Sequence, residues 1–191
     1  LTYTNHGIDY PAEIYPYRSA LWQKFLVKST GDSSIVRYMW EDYGVQFANS
    51  SSTAVSLFPI YENSINIATS NQYTLEEAFN EYSLWRYFTG TRSIQNTFFD
   101  ESQNYCTATT FDVGETYSLW SNKGGAYFVN LPQEGIDLLI SSEFPNAFNC
   151  RHLTINSNNE YSLLDINIEN NNISINPFSN GNQVLIFNTN Y

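Results

Sequence analysis

Residues 74–92 read TLEEAFNEYSLWRYFTGTR, and their spacing predicts a helix. Thr74 and Glu77 are placed to form a capping box, in which each side chain satisfies an orphan backbone donor at the helix start. Leu75, Ala78, Phe79, Tyr82 and Trp85 recur at helical spacing and define an inner face. Gly90 is a natural left-handed stop. The stretch holds Phe79, Tyr82, Trp85, Tyr87 and Phe88, so its aromatics either line a groove or pack a core. Their helical phasing favours the core.

Upstream of this helix the same periodicity recurs. YRSALWQKFLVKST (residues 17–30) sets Tyr17, Leu21, Phe25 and Lys28 on one line, with Ala20, Trp22 and Leu26 widening the face. Gly31 stops that helix, and Asp32 or Ser33 is able to cap the next by accepting a backbone N–H. The second helix, SSIVRYMWEDYG (33–44), groups Ile35, Val36, Met39, Trp40 and Tyr43 on one side and closes at Gly44. A third is expected from Pro59, where the missing N–H costs nothing, with Ile60, Ile65 and Ile67 as an irregular stripe.

Downstream, near residue 105, the period changes to two. GAYFVNL, IDLLIS, RHLTIN, SLLDINIE, NISIN and QVLIFNTN are short apolar runs separated by turn signals such as Glu134-Gly135, Ser157-Asn158-Asn159 and Asn180-Gly181. In LLDINIE, Leu164, Ile166 and Ile168 face one way and Asp165, Asn167 and Glu169 the other, so one face is wet. The expected fold is α+β. A helical subdomain of about four helices spans residues 1–105, and a small antiparallel β-sandwich spans 106–191.

Composition narrows the function. Of 191 residues, 42% are hydrophobic and only 14% charged, which supports a packed core rather than disorder. The formal charge of -11, from 8 basic and 19 acidic side chains, repels phosphate backbones and anionic lipid heads. Nucleic acid and membrane surfaces are therefore not expected partners, and no apolar run approaches the roughly 18 residues of a membrane span. The chain begins at Leu1 without Met or a signal-like segment, so either a leader has been removed or this is part of a longer protein. Low Lys content, Asn/Ser/Thr-rich loops and a count of two cysteines point to export. A Cys106–Cys150 disulfide is expected there, closing a loop worth roughly 4 kcal/mol in the chain-entropy model.

Residues able to do chemistry are few. His6 and His152 are the only histidines, and neither belongs to HExxH, a helical pair or a nucleophile motif. Cys150 and His152 form a Cys-x-His pair without further zinc ligands. The pairs Glu76-Glu77 and Asp100-Glu101 are adjacent in sequence and point apart, unlike a glycosidase dyad facing across a cleft. Asn/Asp-rich loops supply oxygen ligands, yet no D-x-D-x-D-G loop appears, and solvated turns explain them. Trp22, Trp40, Trp85 and Trp120, with 15 Tyr and 13 Phe, would suit sugar stacking only if exposed. No catalytic residue, metal ligand or cofactor is expected.

Two stretches together carry a family resemblance. YPYRSALWQKFLVKSTGDSSIVRYMWEDY (15–43) resembles the segment after the zinc site in secreted bacterial gluzincin-type metallopeptidase-like proteins, through Phe25, Leu26, Gly31, Asp32, Ile35, Trp40 and Glu41. Residues 74–92 resemble the same family's later helix through Leu75, Phe79, Trp85, Phe88, Gly90 and Arg92. The strand-rich remainder, with GGAYFVNL, resembles the β-sandwich appended in such proteins. In the family, zinc is bound by HExxH and a downstream Glu, and neither has a counterpart in this sequence; Glu13 lacks the neighbours of a third ligand.

The resemblance implies a non-catalytic C-terminal portion of a secreted metallopeptidase-like protein, a scaffold or binding region. Its partners would be its own N-terminal peptidase half or identical copies. A competing expectation is an extracellular adhesive or filament subunit that assembles through strand edges, QVLIFNTN among them. A third is a carbohydrate-binding module with an exposed aromatic platform.

Overall fold

Four helices precede the strands in the computed structural model, which describes residues 20–50, 55–114, 124–140, 148–168 and 171–189. Helix α1 spans Ala20–Thr30, α2 Ile35–Asn49, α3 Leu57–Thr69 and α4 Leu75–Tyr87. Seven strands follow, making the fold α+β: β1 Phe111–Asp112, β2 Ala126–Leu131, β3 Ile136–Leu139, β4 Phe148–Asn156, β5 Tyr161–Ile166, β6 Asn172–Ile175 and β7 Gly181–Thr189. Secondary structure changes from helix to strand where the period changes, but the chain divides into two compact units earlier, between Tyr82 and Ser83 inside α4.

In the helical unit, described over residues 20–82, the apolar stripes of α1, α3 and the first half of α4 meet around Trp22. Its indole stacks on Phe79 at 4.9 Å and Phe25 at 5.4 Å, and meets Tyr82 edge-on at 5.1 Å. Tyr61 and Phe58 of α3 complete the cluster. Such pairs add about 0.5–1.5 kcal/mol each beyond the area they bury. The capping box of α4 is formed: Glu77 N–H donates to Thr74 Oγ1 at 3.1 Å, and Thr74 N–H donates to Glu77 Oε2 at 2.7 Å. Gly31, at φ +71°, ends α1 in the left-handed region, and Asp32 Oδ1 accepts the N–H of Ser34.

Three local expectations are corrected here. Helix α2 runs through Gly44 to Asn49, because a mid-helix glycine costs only about 1 kcal/mol, and both the Gln46–Asp42 hydrogen bond and Tyr43–Phe47 stacking bridge it. Helix α3 begins at Leu57, so Pro59 is its third residue, still within the first turn where no intrahelical N–H bond is made. Trp40 does not join the inner stripe of α2; it is 63% exposed, with Phe47 at 50%.

The sheet unit is described from Ser83 onward. Its five-stranded sheet has the order β1-β2-β7-β4-β5, and β3 pairs with β6 in a separate two-stranded sheet. Every ladder is antiparallel except β1 with β2, which is parallel. Strand β7, expected to offer an edge, is the central strand: Leu185 lies opposite Val129 on one side and His152 on the other. Its QVLI run, Gln183 to Ile186, is buried and Phe187 is half-buried, as expected of a strand covered on both faces.

The two faces of this sheet are covered differently. On one, Leu131, Cys150 and Leu185 pack with Ile173 and Ile175 of β6 and Ile136 and Leu138 of β3. On the other, α4 and the residues after it supply aromatics: Tyr87 meets Phe128 at 5.4 Å, while Phe88 stacks on Phe98 at 4.6 Å and meets Tyr161 at 5.5 Å. Ile166 and Ile168 join the apolar cluster as the alternation predicts, yet Leu164 remains 59% exposed. The β4–β5 turn is held by Asn156 Oδ1, which accepts the N–H groups of Asn158 and Glu160.

Candidate functional site

Side chains singled out for chemistry serve local structure where they are described. His6, Glu13 and Trp120 lie outside the described residues. His152 sits on β4 with Leu164 and Leu185 as its cross-strand neighbours, and its Nε2 lies 3.1 Å from Gln183 Oε1. Gln183 is itself anchored, donating to the Pro132 carbonyl at 2.5 Å. Burial lowers the His152 pKa and this hydrogen bond partly restores it. Glu76 and Glu77 occupy the first turn of α4, where they favour the positive end of the helix dipole. Asp100 and Glu101 are exposed before a short 3-10 turn at Ser102–Asn104. Among the described residues no group of three or more His, Cys, Asp or Glu side chains is arranged to hold a metal.

The expected Cys106–Cys150 bond is not formed in the structure: both thiols are free. Cys106 is exposed, and its carbonyl accepts from Thr89 Oγ1 at 2.8 Å. Cys150 points into the apolar cluster beside Leu131, Ile173 and Leu185, and burial pushes its thiol up to about 12. The attacking species in disulfide exchange is the thiolate, so this environment suppresses reaction at Cys150.

The stretch YFTGTR works as a clamp. Gly90 adopts φ +61°, and a Cβ there would sit 2.7 Å from Thr107 N and 2.9 Å from the Tyr105 carbonyl. Thr91 N–H donates to Thr107 Oγ1 at 2.9 Å. Arg92 lies over the Tyr87 ring, 4.3 Å from its centroid, and donates to the carbonyls of Tyr87 and Ala108. Only glycine permits this approach, so the motif ties residues 105–108 to the end of α4. Beside it, Ser83 Oγ accepts from buried Arg151 at 2.9 Å and pairs with the Asn188 amide at 3.0 Å.

One concave site lies wholly within the helical unit. Ser29 and Thr30 end α1, Ala68, Thr69 and Ser70 end α3, and Gln72, Tyr73 and Glu81 complete a cleft of ≈ 510 Å³. Thr30 Oγ1 donates back to the Leu26 carbonyl at 2.7 Å, and Thr69 Oγ1 to the Ile65 carbonyl at 2.8 Å. The Tyr73 hydroxyl donates to Glu81 Oε2 at 2.5 Å. Burial first, then the hydrogen bond to Glu81 and the negative charges of Glu81 and Glu77, hold the Tyr73 pKa well above its ordinary value, so the phenol keeps its proton.

No catalytic motif in the sequence marks this cleft. Its signal was available in the hydroxyl-rich helix ends KST (28–30) and ATS (68–70), but nothing local says that the two ends meet. The tryptophans divide as well: Trp22 and Trp85 are core, and Trp40 is exposed beside Tyr43.

No family model matches this chain, and no curated protein or solved structure matches it either. The fold class is α+β, and among the described residues no helix is long and apolar enough to cross a membrane.

Proposed function

We propose that this chain is a non-catalytic scaffold or binding portion of a secreted, metallopeptidase-like protein, acting outside the cell. One observation carries the reading: the residues on which the resemblance rests are used for packing. Phe25, Leu26, Ile35, Leu75, Phe79, Trp85 and Phe88 are buried, and Gly90 and Arg92 form the clamp. Trp40 departs from the pattern by facing solvent. The test is metal analysis of the purified chain together with a casein-cleavage assay. Both should be blank, and stoichiometric zinc accompanied by proteolysis would overturn the reading.

A second reading, self-assembly through a strand edge, is favoured by β5 rather than β7. Strand β5 is outermost in the five-stranded sheet and carries Leu164, 59% exposed. An edge of this kind is a template for another strand unless charge, proline or a bulge blunts it. Sedimentation at high concentration should show oligomers that Leu164→Lys dissolves. A monomer throughout would remove this reading.

A further inference from the structure

We propose that the outward face of α2 pairs two copies of this chain, the two helices packing antiparallel about a two-fold axis at Gly44. The inference rests neither on the peptidase resemblance nor on the β5 edge.

The inner side of α2 is already taken: Ile35 and Met39 are buried, and Asp42 Oδ2 accepts from the Asn63 amide of α3 at 3.0 Å. The outer side carries aromatics. Trp40 and Phe47 are exposed, and Tyr43 joins them into one strip, edge-on to Trp40 at 6.1 Å and stacked on Phe47 at 5.9 Å. A single exposed apolar side chain needs no explanation, but a contiguous strip marks an interaction surface. Gly44 lies beside it in mid-helix, where glycine is less stable than alanine. Nothing inside the chain compensates: a Cβ at Gly44 would meet no atom within 4 Å. The bare backbone there admits the close approach of a second helix.

The spacing identifies that second helix. Trp40, Gly44 and Ala48 follow one another at i, i+4 and i+8, a ridge of one large residue and two small ones. Reversed about Gly44, the ridge complements itself: Trp40 of one copy meets Ala48 of the other, and the two glycines face each other at the crossing. The same symmetry brings Phe47 of each copy to the Trp40 end of the other. Charge agrees with this partner. At a net -11, two copies repel over most of their surface. From Tyr43 to Asn49, however, α2 carries no charge, and Arg37 and Glu41 pair with each other at 3.8 Å. A strongly charged partner would find little to bind here. The 15 residues of α2 measure about 22 Å, so one helix pair makes a weak, reversible contact rather than an obligate interface.

Sedimentation of the full chain over a concentration series tests the pairing. A monomer–dimer equilibrium that strengthens with added salt is expected, since salt screens repulsion between the acidic copies. Trp40→Ala should weaken it about tenfold or more, and Gly44→Gln, which puts a larger side chain at the crossing, should also weaken it. Val45→Ala should leave it unchanged, because Val45 is as exposed as Trp40 but lies about 100° round the helix from Gly44. Gly44→Ala separates pairing from folding: it should raise the melting temperature in dilute solution and still weaken the dimer. With Cys106→Ser removing the exposed thiol, Gly44→Cys should form a disulfide-linked dimer under oxidised glutathione. Ala48→Cys should not, because the two-fold sets those positions about 12 Å apart along the helices. A monomer at every concentration, or Trp40-dependent oligosaccharide binding by a chain that stays monomeric, would overturn the proposal. So would a dimer lost with Leu164→Lys but kept with Gly44→Gln, or cross-linking at Ala48→Cys in place of Gly44→Cys.

Discussion

Polarity is handled differently in the two units. Among the described residues, Ser64 is the one buried polar side chain of the helical unit, whereas the sheet unit buries Ser83, Arg86, Arg151, Gln183 and Asn188 among others. The helical core is built on stacked rings around Trp22. Two of its buried polar atoms, Trp22 Nε1 and Ser64 Oγ, have no hydrogen-bond partner. In the sheet unit, Ser83 joins Arg151 to Asn188 across 68 and 105 residues of chain. The first unit is held mainly by apolar area and the second partly by buried polar side chains bonded to one another, and each leaves a buried polar atom unsatisfied, Trp22 Nε1 in the one and Arg151 Nε in the other.

The comparison breaks most visibly at Trp22. Trp22→Ala should cost about 3–5 kcal/mol in urea unfolding, while Trp22→Phe should cost clearly less, since the indole N–H has no partner to lose. Equal costs would mean that the indole is bonded in solution.

In the sheet unit the matching probe is Ser83→Ala. It removes few atoms but takes a hydrogen-bond partner from buried Arg151 and Asn188, so about 1–3 kcal/mol should be lost. A neutral substitution, measured by the same denaturation, would show that the network is dispensable.

Thr74→Ala should cost about 1 kcal/mol through the lost cap. Its backbone and side-chain hydrogen bonds hold the Glu77 pKa below the ordinary 4.5. A carboxyl lowered in the folded state stabilises fully above its unfolded pKa, and that contribution fades as pH falls through the folded value. The variant should therefore lose part of the acid dependence of stability, read from melts between neutral and strongly acidic pH.

Ser64→Ala sharpens the contrast in the opposite direction. Removing an unpartnered hydroxyl from a helix interior should stabilise by about 0.5–1 kcal/mol, seen as a raised melting temperature. Destabilisation would place a hydrogen bond at Ser64 after all.

The smallest expected effect concerns the thiols. In the native chain Cys106 should react promptly with an alkylating reagent and Cys150 only after denaturation, with no change in stability on labelling Cys106. Mass spectrometry counts the labels, and a chain that takes none even when denatured would carry the bridge that the structure lacks.

Much of the fold was legible because its signals are local. Thr74 and Glu77 are three residues apart, so one turn of chain contains all that the capping box requires. The strand runs were found for a similar reason: apolar side chains alternate at period two wherever one face is covered. The cleft was not legible, since Thr30, Thr69 and Glu81 come from three helices that meet only after packing. Trp40 was misassigned because a periodic stripe gives spacing, not which of its members meets a neighbouring helix.

By itself, then, the sequence determined the α+β class, the positions of the four described helices and the six longer strands, and the caps and turns between them. Each depends on backbone preferences and side-chain periodicity over a few residues. Tertiary structure alone decided that β7 is central, that Cys150 faces the apolar cluster unbridged, and that Ser83 meets Asn188. Those choices compare the burial and hydrogen bonding of groups tens of residues apart, and no short stretch of sequence contains both sides of that comparison.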